Sequence, residues 1–358
     1  MRRIRPPRAA PTFVLLGGIL LIGGCSEPSS LSCPPGNGDL LVADNPLGGR
    51  WADDGESPRL SEEWRTSVPE GAGSVAAGGV RVGTDGVLTF ANLRAGTIIE
   101  LDPVGDSGPI ETPLPTAVEA AIGAAVLDER LPPPVLTPLA AGGFLVALPP
   151  RPTPGGADQE RLALVVRMAV DGSLTDTVSA VSVNVLNDHG YVEWPRPGTR
   201  IPLIAVGPAD AVALAGATSA YRIDVLRPDF TDSLVICRQA AALPLTETEA
   251  GEVELAESPP QLAWLLRGSK KVQPPLPFGR MFIGSEGRLW VQRERPDPQR
   301  TYAQPEGAAY DVFAAGGEYL GEVRAPDDVV LIADTGGFVY GLEASGGLSG
   351  SLVAYRLR

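Results

Sequence analysis

The stretch "MFIGSEGRLWVQ", Met281 to Gln292, constrains the fold more than any other in this chain, because it recurs. Two short apolar stretches flank a Gly-Ser-Glu-Gly turn. "VRVGTDGVLTFA" (Val80 to Ala91), "VLTPLAAGGFLVAL" (Val135 to Leu148), "LIAVGPADAVALAG" (Leu203 to Gly216) and "LIADTGGFVYG" (Leu331 to Gly341) follow the same plan. Apolar alternation on both sides of a tight turn marks an antiparallel hairpin with a face on a core.

Each of the first four copies in chain order is followed by a second, less apolar hairpin. These are "TIIELDPVGDSGPIET", "LALVVRMAVDGSLTDTV", "YRIDVLRPDFTDSLVICR" and "YDVFAAGGEYLGEVRAP". The repeating unit is therefore four antiparallel strands, an inner pair and then an outer pair. Such units at a period of about 40 to 50 residues read as an all-β fold, a β-propeller. The fifth unit is short: after "LIADTGGFVYG" only "SLVAYRLR" remains before Arg358. Three strands would leave an unpaired edge. "DLLVAD" (Asp39 to Asp44) and "EEWRTSV" (Glu62 to Val68) both read as strands without a hairpin of their own, and one of them should complete the last unit. Trp64 to Val68 is the preferred donor.

The C-terminal residues "SEGRLWVQRERPDP", "YDVFAAGGEYLGEV" and "LVAYRL", with "YRIDVLRPDFTDSLVICRQAAALPLTETE" upstream, carry a likeness. They resemble the six-bladed β-propeller proteins found as bacterial lipoproteins, relatives of the NHL-repeat propellers. The resemblance runs from about residue 60 to 358 and is strongest after Tyr221. It implies six blades where five units are visible. One departure is "GDSGPIETP", where these relatives carry a "GEGPGEF"-like stretch.

Residues 245–271, "LTETEAGEVELAESPPQLAWLLRGSKK", do not fit strands. Thr246 and Glu249 have capping-box spacing, which favours a helix start. Pro259 and Pro260 then interrupt it. A second short helix opened by Pro260 would place Leu262, Leu265 and Leu266 on one face. The expectation is a short helical insertion on the rim of the ring, with a lid over the channel as the alternative.

The N-terminus points to export. Arg2, Arg3, Arg5 and Arg8 precede an apolar run, Thr12 to Gly24, of about 13 residues, too short for a helix to span a bilayer. The run ends in Leu21-Ile22-Gly23-Gly24-Cys25, which resembles the bacterial lipobox, so Cys25 is the expected lipidation site and new N-terminus. The expected organisation is a signal peptide at 1–24, a tether at 25–38 and a single propeller domain at 39–358. Removing four arginines and no acids takes the formal charge from −14 to −18. That charge argues against nucleic acid and against electrostatic docking on anionic lipid, leaving the acyl chain as the membrane contact. The expected location is the bacterial cell envelope, lipid-anchored. Ser26 after the cysteine favours the outer membrane by analogy with enterobacterial sorting, and does not say which face.

Residues that could carry chemistry are few. His189, in "LNDHGYVEW", is the only histidine; it excludes His-rich zinc sites and reads as a turn residue beside Asn187 and Asp188, with a lone general base as the alternative. No "GxSxG" accompanies it, and "GLSGS" near Ser349 has the wrong spacing. Asn92, Asp102, Asp224 and Asp334 lie at strand ends and are the candidate ligands for calcium in a propeller, but they follow no ligand spacing, in a chain of 43 acids. The acidic stretch from Trp51 to Glu63 lacks EF-hand order and reads as a solvated loop. Trp290, Phe338 and Tyr340 lie in inner hairpins and read as packing between blades. The expectation is no catalytic residue, no metal and no cofactor.

Two function classes stay open: a non-catalytic binding or scaffold module for a protein, peptide or glycan, which is preferred, and a metal-dependent lactonase or esterase. Once Cys25 is acylated, Cys33 and Cys237 are left, and both a Cys33–Cys237 disulfide and two free thiols are open.

Overall fold

In the computed structural model the described residues are 41–45, 49–53, 58–67, 79–93, 95–105, 108–125, 134–152, 160–184, 203–215, 221–229, 232–238, 280–293, 308–344 and 350–358. The signal peptide, Cys25, the tether with Cys33, His189, Ser349 and the helical insertion at 245–271 lie outside them.

The described strands make five four-stranded antiparallel units, each inner pair followed by its outer pair as the repeats imply. Unit I holds β3 (Val80–Val82), β4 (Leu88–Asn92), β5 (Thr97–Leu101) and β6 (Ile110–Pro113). Unit II holds β7 (Val135–Pro138), β8 (Phe144–Pro152), β9 (Glu160–Met168) and β10 (Leu174–Asn184). Unit III holds β11 (Leu203–Val206), β12 (Val212–Ala215), β13 (Arg222–Leu226) and β14 (Asp232–Arg238). Unit IV holds β15 (Met281–Ile283), β16 (Leu289–Gln292), β17 (Ala309–Phe313) and β18 (Tyr319–Arg324). Unit V holds β19 (Val329–Thr335), β20 (Phe338–Ala344), β21 (Gly350–Leu357) and, as its fourth strand, β2 (Leu60–Ser67) from far upstream. Trp64 pairs with Ala354 in the antiparallel β2–β21 ladder. The preferred donor strand is thus the one used.

The alternation of side chains explains how the units pack. In β15, Met281 and Ile283 face unit III while Phe282 faces unit V. In β8, Phe144, Val146 and Leu148 face unit I, and Leu145 and Ala147 face unit III. A strand with an apolar cluster on each face reads as a near-continuous apolar run, which is why "MFI" and "LWV" are buried throughout. Five apolar seams result, joining I to II, II to III, III to IV, IV to V, and V back to I. This cyclic, face-to-face stack of sheets is a propeller-like arrangement. The sixth unit implied by the family resemblance has no strand among the described residues.

Two N-terminal pieces sit on outer edges. β1 (Leu41–Asn45) adds to β14 in parallel, Leu41 against Leu234 and Asn45 against Arg238. The short helix α1 (Arg50–Asp53) lies on β18, where an added Cβ on Gly321 would come within 2.7 Å of Trp51 Cε3. Asn45 pins the end of β1 to β14 and to the β17–β18 turn of unit IV: its Nδ2 donates to Gly317 O at 2.8 Å and Cys237 O at 3.2 Å, and its Oδ1 accepts from Tyr319 N at 2.8 Å. A second helix, α2 (Thr116–Ala125), follows β6 and buries Val118 and Ile122, one turn apart, in the I–II seam.

The inner strands crowd the centre of the ring. β3 bridges to β11 at Arg81 and Val206, fusing units I and III into one nine-stranded sheet with β1 at its far edge. The residues that end inner strands are accordingly small. A Cβ on Gly207 would lie 2.6 Å from Ile283 Cγ2, and one on Gly284 would lie 2.7 Å from the Asp334 carbonyl oxygen. Gly284→Ala forces backbone rather than a flexible side chain to yield, so its expected cost is about 1–3 kcal/mol. Urea unfolding with an unchanged m-value measures it, and a wild-type midpoint would refute the close approach.

Candidate functional site

The turns of the inner hairpins form the candidate site, because neighbouring turns are tied to one another around the ring. Four close by the same backbone bond: Gly83 N to Val87 O (2.8 Å), Leu139 N to Gly143 O (3.0 Å), Gly207 N to Ala211 O (2.8 Å) and Gly284 N to Arg288 O (2.8 Å). This geometry needs a left-handed residue, and Gly86, Gly142 and Gly287 supply it at φ 86°, 90° and 78°. The turn of unit III instead uses Ala209 and Asp210 at φ 54° and 62°. A left-handed conformation costs a non-glycine residue roughly 1 kcal/mol. Here the buried Asp210 carboxylate accepts from Ala140 N at 2.6 Å and Ala141 N at 2.8 Å, binding the unit II turn to its own. These charge-assisted bonds offset the strain.

Asp334 does the same between units IV and V. Its carboxylate accepts from Arg288 Nε (2.8 Å) and Nη2 (3.0 Å) and from Trp290 Nε1 (2.9 Å), while Ser285 N donates to its carbonyl at 2.7 Å. Desolvation raises its pKa against the pull of Arg288 and Trp290. Units V and I adjoin where Thr335 Oγ1 lies 2.9 Å from the place of a Gly86 Cβ. The face so built exposes Thr84, Asp85, Ala140, Ala141 and Glu286.

Deeper, in the III–IV seam, Asp311 is fully buried. Tyr221 Oη donates to it at 2.9 Å and Tyr319 Oη at 3.1 Å, and Arg238 forms an ion pair with it while stacking 3.8 Å from the Tyr319 ring centroid. Burial pushes the Asp311 pKa up, with Arg238 the largest opposing influence. Burial and the Asp311 charge push both tyrosines up as well.

The residues named from sequence are not brought together. Asn92 accepts from Ala95 N (3.2 Å), Asp102 from Val104 N and Gly105 N (3.1 and 3.0 Å), and Asp224 from Arg222 Nε and Nη2 (2.9 and 2.7 Å). With Asp334, they belong to three different units, each with its own local partners. Among the described residues no group of three or more His, Cys, Asp or Glu is placed to hold a metal ion. The inner aromatics are packing, as expected: Trp290 stacks on Phe282 at 5.6 Å, Tyr340 is buried, and Phe338 lies under Arg356 at 4.8 Å. Cys237 is disulfide-bonded; the two other cysteines lie outside the described residues.

Sequence reasoning missed Asp210, Asp311, Tyr221, Tyr319 and Arg238. Two signals were there to be used: an aspartate where the other turns place glycine, in "GPAD", and a lone charge inside the apolar run "YDVF".

No protein-family model matches the chain, and no curated protein does. Among solved structures it is similar to a member of the DUF4221 family from Bacteroides vulgatus, at 10% identity and TM-score 0.35 over 84% of this chain and 98% of that one. It is also similar to the PQQ-bound aldose sugar dehydrogenase of Streptomyces coelicolor, at 10% identity and TM-score 0.34 over 84% and 99%. Virginiamycin B lyase from Staphylococcus aureus aligns at 12% identity and TM-score 0.32 over 83% and 99%. The propeller-like arrangement rests on the five seams themselves.

Proposed function

We propose that the chain is a lipid-anchored, extracytoplasmic β-propeller of five blades that works as a non-catalytic binding or scaffold module, taking a protein, peptide or glycan on its turn face. The observation that carries this reading is how the buried carboxylates are used. Asp210 is committed to two backbone amides, Asp334 to Arg288 and Trp290, and Asp311 to two tyrosines and Arg238. A hydrolase would need such groups held ready for water, metal or substrate, whereas here they join one unit to the next. The direct packing of unit III on unit IV supports five blades where the resemblance implies six.

Crosslinking in native membranes, followed by identification of the partner, tests the binding reading. Metal analysis of the same purified material is its counterpart: a stoichiometric divalent ion, lost together with activity on lactones, overturns it. Anchoring at Cys25, with the outer membrane favoured by Ser26, predicts that Cys25→Ser leaves the precursor unprocessed and without acyl chain. Metabolic labelling with a fatty-acid analogue checks this, and equal labelling of mutant and wild type would refute it.

With Cys25 acylated, the partner of Cys237 is Cys33. Closing a loop of about 200 residues stabilises by up to roughly 5 kcal/mol in the chain-entropy model. Thiol counting under denaturing, non-reducing conditions should find none free in protein from its native compartment. Two free thiols would remove the bridge.

A further inference from the structure

The N-terminal arm joins unit III to unit IV along their outer edges. β1 lies on β14, with Leu41 opposite Leu234 and Asn45 opposite Arg238. The β17–β18 turn of unit IV closes on it: a Cβ on Gly317 would lie 2.8 Å from Ala43 Cβ. Asn45 Oδ1 accepts from Tyr319 N at 2.8 Å, and its Nδ2 donates to Gly317 O at 2.8 Å. Further along, a Cβ on Gly49 would come within 2.7 Å of Leu320 O, so the arm continues on β18. The hold on β1 is otherwise slight. Leu41 is 67% exposed, and of the residues of β1 only Asn45 is buried.

β14 supplies a further hold. Leu234 and Ile236 face the III–IV seam, so alternation turns Cys237 to the other side of the strand. Cys237 is disulfide-bonded, and the two other cysteines of the chain, Cys25 and Cys33, both precede β1. Whichever of them is the partner, the bond fixes the chain upstream of β1 to the strand on which β1 lies. β1 is then secured at both ends, by the sulfurs on one side and by Asn45 with unit IV on the other. A segment tied at both ends leaves its place far less readily than one tied at a single end, because its effective concentration there stays high.

We infer that the disulfide at Cys237 is a redox lock on the N-terminal arm: oxidised, it clasps β1 across the junction of units III and IV, and reduced, it lets β1 leave while the four-stranded units stay folded. A dithiol opens it. One thiolate attacks a sulfur of the bond and the second thiol resolves the mixed disulfide, so the dithiol gives up two electrons and two protons and the protein takes them as two thiols. Departure of β1 removes the Asn45 partner of Tyr319 N and Gly317 O and bares the backbone edge of β14. The lock rests on the bond at Cys237. It holds for either partner, with or without lipid anchoring.

Hydrogen exchange of the purified full chain, oxidised wild type against Cys237→Ala, tests it, with the β20–β21 ladder as the reference for the stability of the whole. The ratio of β1 exchange to ladder exchange should rise at least about tenfold in the variant. The Tyr319 amide should follow β1, because its acceptor is Asn45 Oδ1. Wild type treated with dithiothreitol in the native state should match the variant, and a bond that survives the treatment overturns the redox role. An unchanged ratio overturns the lock, since loss of the bond would then loosen the molecule evenly. So does a Cys237→Ala chain that does not fold, because the bond would be a condition of the fold rather than a clasp on its arm. Thiol counting keeps the bond itself separate: two free thiols in wild type remove bridge and lock together, whereas a bonded protein with an unchanged ratio removes the lock alone.

Discussion

Deletion of residues 60–70 is expected to abolish the cooperative fold, giving aggregated protein or a melting midpoint lower by more than about 10 °C. The deletion removes the whole of β2 and with it the ladder from Leu60–Leu357 to Ser67–Ser351. It also removes Trp64, which meets Tyr340 edge-on at 5.9 Å and packs against the V–I seam. Ion pairs of Glu63 with Arg356 and Arg358, and of Arg65 with Glu62 and Glu343, go too, but they are exposed and contribute little each. The loss that matters is the edge. Without β2, the β21 strand "GSLVAYRL", apolar and eight residues long, presents unpaired backbone to solvent and to other chains. A deletion mutant that melts like wild type would contradict the assignment of β2 as the fourth strand of unit V.

Asp311→Ala should cost about 3–5 kcal/mol, the range for breaking a buried ion pair by removing one partner. The alanine removes a carboxylate that pairs with Arg238, whose side chain is 7% exposed, and the acceptor that the hydroxyls of Tyr221 and Tyr319 share. The pH behaviour follows from the raised pKa of Asp311. A carboxylate whose folded pKa lies above its unfolded value makes the folded state bind the proton more readily. Stability attributable to it then falls as pH rises from the unfolded value through the folded one. Asp311 therefore does not drive acid unfolding, and Asp334, raised for the same reason, does not either. Chemical denaturation of wild type and mutant from pH 4 to 7 checks both: the cost should be largest near pH 4, where the protonated carboxyl is accommodated best, and a cost under 1 kcal/mol throughout would show that the cluster is peripheral.

The hairpins were legible because each inner turn needs a left-handed residue at one position, and glycine at Gly86, Gly142 and Gly287 advertises it. The donor strand was legible for a different reason: a three-stranded last unit leaves an edge that something must cover, and Trp64 offered the largest apolar group nearby. β1 was read as a strand, yet its parallel place on β14 was hidden, since period-two alternation in "LVADN" says nothing about the partner. Helix α2 went unseen although Pro115 precedes it and Val118 and Ile122 share a face; ten residues between two strands carry little periodicity. The five units among the described residues were readable from the repeats. The carboxylates were hardest. Asp210, Asp311 and Asp334 differ from the other acids only in what surrounds them in space; Asp334 stood in the sequence as one of four strand-end candidates without ligand spacing, and its geometry serves Arg288 and Trp290.

The central claim is a propeller-like arrangement in which unit III packs directly on unit IV. A double-mutant cycle between Tyr221 in unit III and Asp311 in unit IV tests this most directly, using Tyr221→Phe and Asp311→Leu to remove the hydrogen bond with little change of shape. The 2.9 Å bond between them predicts a coupling energy of at least about 1 kcal/mol in the unfolding free energies. Additivity within about 0.5 kcal/mol would mean the two residues do not meet, and that another element, such as a sixth blade, stands between units III and IV.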